Sequence, residues 1–458
     1  MKTNPPTPPG NELWKLYYEE RLPRYTSYPT APHVTPAVSQ RPYGDWLAAI
    51  PASAKASLYL HIPFCRSMCW YCGCHTTVAQ RDPPILDYIA VLRREIDMVA
   101  GKLAQPLSVR HVHFGGGTPT ILDPRDFADL VARLRERFSI EPDAEIAVEI
   151  DPRTLTPAMI AALGEAGVNR ASLGVQSFDP AVQRAINRVQ SMEQTANAVA
   201  GLRAAGIRHI NFDLIYGLPH QTVESCLATV AECLALRPDR FAVFGYAHVP
   251  TFKKHQRKIA EADLPDGAAR HAQTEAIAKA LVAAGYRRIG LDHFALPEDE
   301  LVQAQANGNL HRNFQGYTTD ASDVLIGFGA SAIGQLPQGY VQNEPIILRY
   351  AERIRDGELA TAKGYPLTAE DRLRAELIER IMCDMQVDVA RIRRRHHAAP
   401  ETLAASMQRL QALADDGVID LEGNVVRMSE RSRFLVRTVA SAFDAYLGNT
   451  ARTFSRAV

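Results

Sequence analysis

Six times between residues 57 and 249, a short run rich in valine, isoleucine and aromatic residues gives way to a longer stretch of helical periodicity. No other feature limits the fold so strongly, because strands separated by helices pair in parallel through right-handed crossovers and bury both faces of their sheet. The runs are "SLYLHIPF" (57–64), "VRHVHFGGG" (109–117), "AEIAVEIDP" (144–152), "RASLGVQSF" (170–178), "HINFDLIYGLP" (209–219) and "RFAVFGYAHV" (240–249). Between them lie helical patterns at 85–103, 127–138, 157–167, 192–206 and 223–236. The alternation predicts an incomplete parallel (β/α)6 barrel over 51–300, in which a helix at 268–285 leads to a weaker strand candidate at 286–295. Residues 1–50, rich in proline, tyrosine and arginine with one helical candidate near 11–20, read as an extended arm, and 301–365 as a barrel extension carrying part of the substrate pocket. Over 366–458, charged amphipathic helices at 368–385, 401–417 and 430–447 and a two-strand pattern at 418–429 predict a mainly helical, winged-helix-like domain.

Of seven cysteines in 458 residues, four stand in "CRSMCWYCGC" (65–74), spaced CxxxCxxCxC. A structural zinc site pairs such a knuckle with a second one or adds histidines at fixed offsets, and no second knuckle follows here. Iron–sulfur ligation by thiolates on one loop fits better. Three thiolates at CxxxCxxC spacing would hold three irons of a cubane and leave the fourth open for reaction. The loop follows the first strand directly, at the barrel end where such folds place active sites. Polar groups recur at the same end of the following strands: "GGGT" (115–118), Glu149 and Asp151, Gln176, Asp213, and Tyr246 with Ala247. Together they describe a ring around one pocket.

Lys plus Arg and Asp plus Glu both number 51, and the longest run of like charge is "RRR" at 393–395, which argues against nucleic acid or an acidic membrane as partner. No apolar stretch reaches 18 residues and the first 30 contain no signal-like apolar region, so the chain is expected to be cytoplasmic. The odd cysteine count also suits a reducing compartment.

The segments "YLHIPFCRSMCWYCGCHT", "HFGGGTPT", "VEIDPRTL", "SLGVQSFD", "FDLIYGLPHQT", "VFGYAHVP", "LHRNFQGYTT" and "RYTSYPTAP" resemble the oxygen-independent coproporphyrinogen III oxidases, the HemN family of the radical S-adenosylmethionine (SAM) superfamily, over nearly the whole chain. The resemblance implies a radical SAM barrel with one [4Fe–4S] cluster and two SAM molecules. It implies oxidative decarboxylation of two propionates of coproporphyrinogen III to vinyl groups, giving protoporphyrinogen IX, through a 5′-deoxyadenosyl radical. It further implies a monomer supplied with electrons by a carrier such as flavodoxin or ferredoxin. Residue by residue, Cys65, Cys69 and Cys72 match the cluster ligands, and Cys74 the family's additional cysteine. Tyr59, Gly116, Glu149 and Ile333 match contacts of the first SAM; Tyr71, Gly117, Thr118, Gln176, Arg188, Asp213 and Ala247 match contacts of the second. Arg24, Tyr25, Tyr28, Arg312 and Tyr317 are candidates for the substrate's carboxylates. A haem-binding radical SAM protein, either a chaperone or a haem-degrading methyltransferase, is the alternative. Cys74 and the "RYTSYPT" arm favour the oxidase.

Overall fold

A computed structural model describes Tyr17, residues 20–30 and residues 33–447. The helical candidate at 11–20 lies outside these residues except for Tyr17 and Glu20. Six βα units run through the first half: β1 (Lys55–Ile62), α1 (Pro83–Ala100), β2 (Ser108–Gly116), α2 (Pro124–Arg137), β3 (Ser139–Ile150), α3 (Pro157–Glu165), β4 (Arg170–Gln176), α4 (Met192–Ala204), β5 (His209–Tyr216), α5 (Val223–Ala235), β6 (Arg240–Gly245) and α6 (Gly267–Ala283). Asp123, Thr156, Ser191, Thr222 and Asp266 cap α2 to α6 by accepting from backbone N–H groups of the first turn, the groups a helix cannot satisfy internally.

Strands β1 to β6 are parallel and adjacent in chain order. The sheet then grows beyond the six expected strands to twelve. On one side, the predicted strand at 286–295 is instead a pair, β7 (Arg287–Ile289) and β8 (His293–Ala295), both antiparallel to their neighbours. Gly290, at φ +52°, turns the chain between them. On the other side, β9 (Val324–Phe328) lies parallel to β1, followed by antiparallel β10 (Ile333–Leu336), β11 (Gly339–Asn343) and β12 (Thr361–Pro366). The segment read as a barrel extension thus continues the sheet itself.

Alternation along the central strands decides what each face does. Leu58 and Leu60, Val112 and Phe114, Ile146 and Val148, Ala171 and Leu173, and Phe212 and Leu214 enter one apolar core beneath the helices. The intervening positions, including Tyr59, His113, Glu145, Glu149, Arg170, Ser172, Asn211 and Asp213, form a polar inner face. Near its base the charges are paired: Arg170 Nε donates to Glu145 Oε2 at 2.6 Å and Arg240 Nε to Asp299 Oδ2 at 2.7 Å.

The C-terminal unit has its own core. It runs helix (α7, Ala369–Asp384), strand (Gln386–Asp388), helices Val389–Arg395 and Ala404–Asp415, then hairpin Ile419–Glu422 and Val425–Met428, which is winged-helix order. The helix expected over 430–447 is shorter, a 3₁₀ turn at Arg433–Leu435 leading to Val436–Ser441. Residues 432–440 are buried without a break, so no amphipathic stripe sets their conformation and packing decides it.

Candidate active site

The cysteine loop begins as β1 ends. Phe64–Cys65 pairs in parallel with Thr77–Val78 and closes the loop at its base. Its carbonyls are then tied down one after another: Met68 O accepts from Asn187 Nδ2 (2.8 Å), Tyr71 O from Gln256 Nε2 (2.9 Å) and Cys74 O from Lys253 Nζ (2.8 Å), while His255 Nε2 lies 2.7 Å from Cys72 O. The Trp70 amide donates to Ile186 O at 2.9 Å. Segments following β4 and β6 therefore hold a loop that has almost no regular structure of its own.

Within this frame all four thiols are free; Cys69 is buried, Cys65 and Cys72 are half-buried, and Cys74 is exposed. Cys65 Sγ lies 3.4 Å from the hydroxyls of Thr76 and Thr118. Cys69 Sγ accepts from Arg153 Nη2 and Arg188 Nη1, each at 3.6 Å. Hydroxyls and guanidinium groups aimed at sulfur stabilise thiolate, the form that binds iron. Among the described residues no three His, Cys, Asp or Glu side chains converge as ligands of a single ion. A cubane puts each thiolate on a different iron, so this donor set fits a cluster.

Beside the loop, backbone replaces side chain. Gly116 has φ +117°, and a Cβ on Gly117 would come within 2.5 Å of Phe64 O and 2.6 Å of Thr76 Oγ1. The Gly116 amide donates to Glu149 Oε2 at 3.1 Å, and His113 Nε2 lies 3.2 Å from Glu149 Oε1. Burial pushes the Glu149 carboxyl up, but His113 and the Gly116 N–H outweigh it and hold the group below the usual range. Tyr59 OH lies 2.9 Å from His61 Nδ1, and burial pushes His61 down to about 4, so its ring is neutral at pH 7.

Further round the mouth, Arg188 Nη2 donates to Gly174 O at 2.6 Å and its guanidinium lies 3.3 Å from Asp151. Arg188 Nε and Gln176 Oε1 are buried without partners, and buried polar atoms are rarely left so. Asp213 accepts from Ser172 Oγ and Asn211 Nδ2, both at 2.9 Å, and burial raises it to about 7. Tyr71 packs with Val182, Ile186 and Tyr246, and Ala247 O accepts from Gln256 Nε2 at 3.2 Å. Ile333 opens β10 beyond β9, where Gly327 pairs with Tyr59.

The five substrate candidates divide. Arg24 and Arg312 line a cavity against the ends of β5 and β6. Tyr25 and Tyr28 do not: their hydroxyls bind Asp444 Oδ2 (3.0 Å) and the Ala445 amide (2.9 Å) within the C-terminal core. Tyr317 is also turned away, donating to Met382 O at 2.8 Å and accepting from the Leu291 amide at 2.9 Å, while its ring supports the Arg312 guanidinium 4.4 Å away. Arg153 and the loop-tethering His255 and Gln256 had no sequence signature, nor had Arg270, Arg288 and Arg437 in the cavity wall.

Residues 59–233 match the radical SAM superfamily and 367–435 the HemN C-terminal domain. An oxygen-independent coproporphyrinogen III oxidase of Bradyrhizobium diazoefficiens is 61% identical over 98% of this chain and 99% of its own length. The chain belongs to the oxygen-independent coproporphyrinogen III oxidase family. Another member, from Paracoccus denitrificans, is 45% identical over 94% of this chain and 95% of its own. The solved structure of the coproporphyrinogen III oxidase HemN from Escherichia coli, described as a radical SAM enzyme, superposes at TM-score 0.88 with 36% identity, covering 93% of this chain and all of that one.

Proposed function

We propose that this chain oxidatively decarboxylates two propionates of coproporphyrinogen III to vinyl groups, yielding protoporphyrinogen IX without oxygen. The observation that carries the reading is the cysteine loop, three thiols pinned by backbone tethers at the mouth of a polar-lined barrel. The oxidase name borne by the relatives favours it over a haem-binding radical SAM protein. Cys65, Cys69 and Cys72 would hold a [4Fe–4S] cluster; Tyr59, Gly116, Glu149 and Ile333 would hold a SAM molecule beside it. Tyr71, Gly117, Thr118, Gln176, Arg188, Asp213 and Ala247 would hold a second SAM. When bound, these groups supply one-electron chemistry that ends in removal of a hydrogen atom from the propionate carbon attached to the pyrrole. The protein's own part is to orient and to exclude water. The Glu149 carboxylate, anchored by the Gly116 N–H, is set to accept from an ammonium group, and the unpartnered Gln176 Oε1 and Arg188 Nε from and to a polar ligand. After each hydrogen transfer carbon dioxide would leave and the remaining electron pass to an external one-electron acceptor, so no general base is needed.

The same reading makes the chain a cytoplasmic monomer that takes electrons from a carrier such as flavodoxin or ferredoxin, with neither nucleic acid nor membrane as partner. Its free thiols agree with a reducing compartment. Among the described residues no helix is long and apolar enough to cross a membrane. We divide it into an arm (1–50), barrel (51–300), extension (301–365) and helical domain (366–458), a division supported by the matches at 59–233 and 367–435. Anaerobic reconstitution with iron and sulfide tests the function. The wild-type chain is expected to release 5′-deoxyadenosine and vinyl product, Cys65→Ala to bind no cluster, and Cys74→Ala to keep its cluster by absorbance and iron content. SAM cleavage with coproporphyrinogen left untouched would sink the proposal.

A further inference from the structure

The turn that follows β3, "DPRT" (151–154), carries two charged side chains that neither ligate the proposed cluster nor belong to the proposed SAM contacts. Asp151 accepts from the Arg153 amide at 3.1 Å, from Arg153 Nε at 2.9 Å and from Arg153 Nη2 at 2.6 Å. The guanidinium fork so held makes one further contact, to Cys69 Sγ at 3.6 Å. Arg188 arrives from the segment after β4. Its Nη2 is fixed by Gly174 O at 2.6 Å, and its Nη1 donates to the same sulfur at 3.6 Å and lies 3.3 Å from Asp151 Oδ2.

Two guanidinium groups thus share the single carboxylate of Asp151, and one positive charge of this trio is left over beside Cys69. Side-chain exposures of 15% for Arg153, 11% for Asp151 and 7% for Arg188 keep water from screening it. Cys65 Sγ, by contrast, meets the neutral hydroxyls of Thr76 and Thr118. Local charge and hydrogen bonds to the sulfurs set the potential of an iron–sulfur cluster. A buried positive charge favours the redox state that carries more negative charge, which is the reduced one.

We infer that Arg153, held in place by Asp151, raises the reduction potential of the cluster through Cys69. The inference rests on the function proposed above. The step concerned is the gain of one electron by the oxidised cluster from a one-electron carrier of the flavodoxin or ferredoxin class, which loses that electron; no bond forms or breaks and no proton moves. Arg153 is a positioning residue, because it touches a ligand of the cluster and not the reacting atoms. Arg188 would also hold the second SAM, whereas the side-chain bonds of Arg153 end at Asp151 and Cys69. Arg153 can therefore be changed without untying another segment of the chain.

A redox titration of the full chain reconstituted with iron and sulfide, followed by electron paramagnetic resonance of the reduced cluster before SAM is added, tests this. Arg153→Met should keep the iron and sulfide content of the wild type but hold the electron at least tenfold more weakly, a fall of about 59 mV for a one-electron couple. Arg153→Lys keeps the charge and should recover at least half of that fall. A wild-type potential in Arg153→Met would overturn the inference, and so would an Arg153→Lys potential as low as that of Arg153→Met, since shape and not charge would then matter. Reduced iron content in Arg153→Met would show a structural tether and overturn it as well. All three of these results leave the proposed function standing; a wild-type chain that takes up no cluster would overturn both.

Discussion

Glu95 takes no part in the proposed chemistry, yet it is the carboxyl on which α1 and the far strands of the sheet meet. Fully buried, it accepts from the Gly329 amide (2.7 Å), Asn343 Nδ2 (2.6 Å) and Tyr350 OH (2.8 Å). Burial outweighs these donors and raises it from 4.5 to about 7. Between those values the folded chain keeps a proton that the unfolded chain has released, so this group's contribution to stability falls as pH rises from about 4.5 and levels off above about 7. The loss is a few kcal/mol at most, at ~1.4 kcal/mol per pKa unit. Glu95→Gln should flatten this part of the stability profile in urea titrations across pH, while lowering stability overall because an amide oxygen cannot accept from all three donors. An unchanged slope would contradict the assignment. Sequence offered no hint of this residue, since an acidic position on an amphipathic helix reads as solvent-facing. The grouping of Cys65, Cys69 and Cys72 on one loop was legible because it is a matter of spacing alone.

At the scale of elements, the cysteine loop and the glycine turn after β2 act as one unit. Gly117 N donates to Ile62 O and Thr118 N to Phe64 O, both at 2.8 Å, so the turn is stitched to the strand that launches the loop. A methyl group at Gly117 has no room beside Phe64 O and Thr76 Oγ1 and must push the turn or the loop aside. Gly117→Ala should retain the fold by circular dichroism but lose iron on gel filtration or bind SAM at least tenfold more weakly in equilibrium dialysis; normal values for both would show that the close approach is unimportant. Alternation within β1 to β5 made the central strands readable, because period two separates a helix-covered face from a polar one. The short β7 and β8 and the truncated C-terminal helix were not readable. Gly290 breaks the first into two strands, and residues 432–440 are buried on every side, which erases the periodicity a helix would show.

For the whole molecule, the arm is a clamp between the barrel and the C-terminal unit. Arg24 reaches the end of β6, Arg437 reaches back to Leu22 and Pro23, and Tyr25 and Tyr28 are buried in the C-terminal core. Asp444 is buried and accepts from Tyr25 OH at 3.0 Å and the Tyr446 amide at 2.8 Å. Tyr25→Phe strands part of that carboxylate and should cost ~1–3 kcal/mol in denaturant titration; equal stability would show that the arm is not anchored there. Tyr25 and Tyr28 thus anchor the segment that carries Arg24, while Tyr317 supports Arg312. By itself the sequence determined the βα alternation, the close spacing of Cys65, Cys69 and Cys72 and the polar residues at the strand ends, since each depends on short-range periodicity or spacing. Only the tertiary structure decided which arginines share a cavity. Arg24, Arg270, Arg288, Arg312 and Arg437 come from the arm, the barrel, the extension and the C-terminal unit, and they line one wall only once those segments pack.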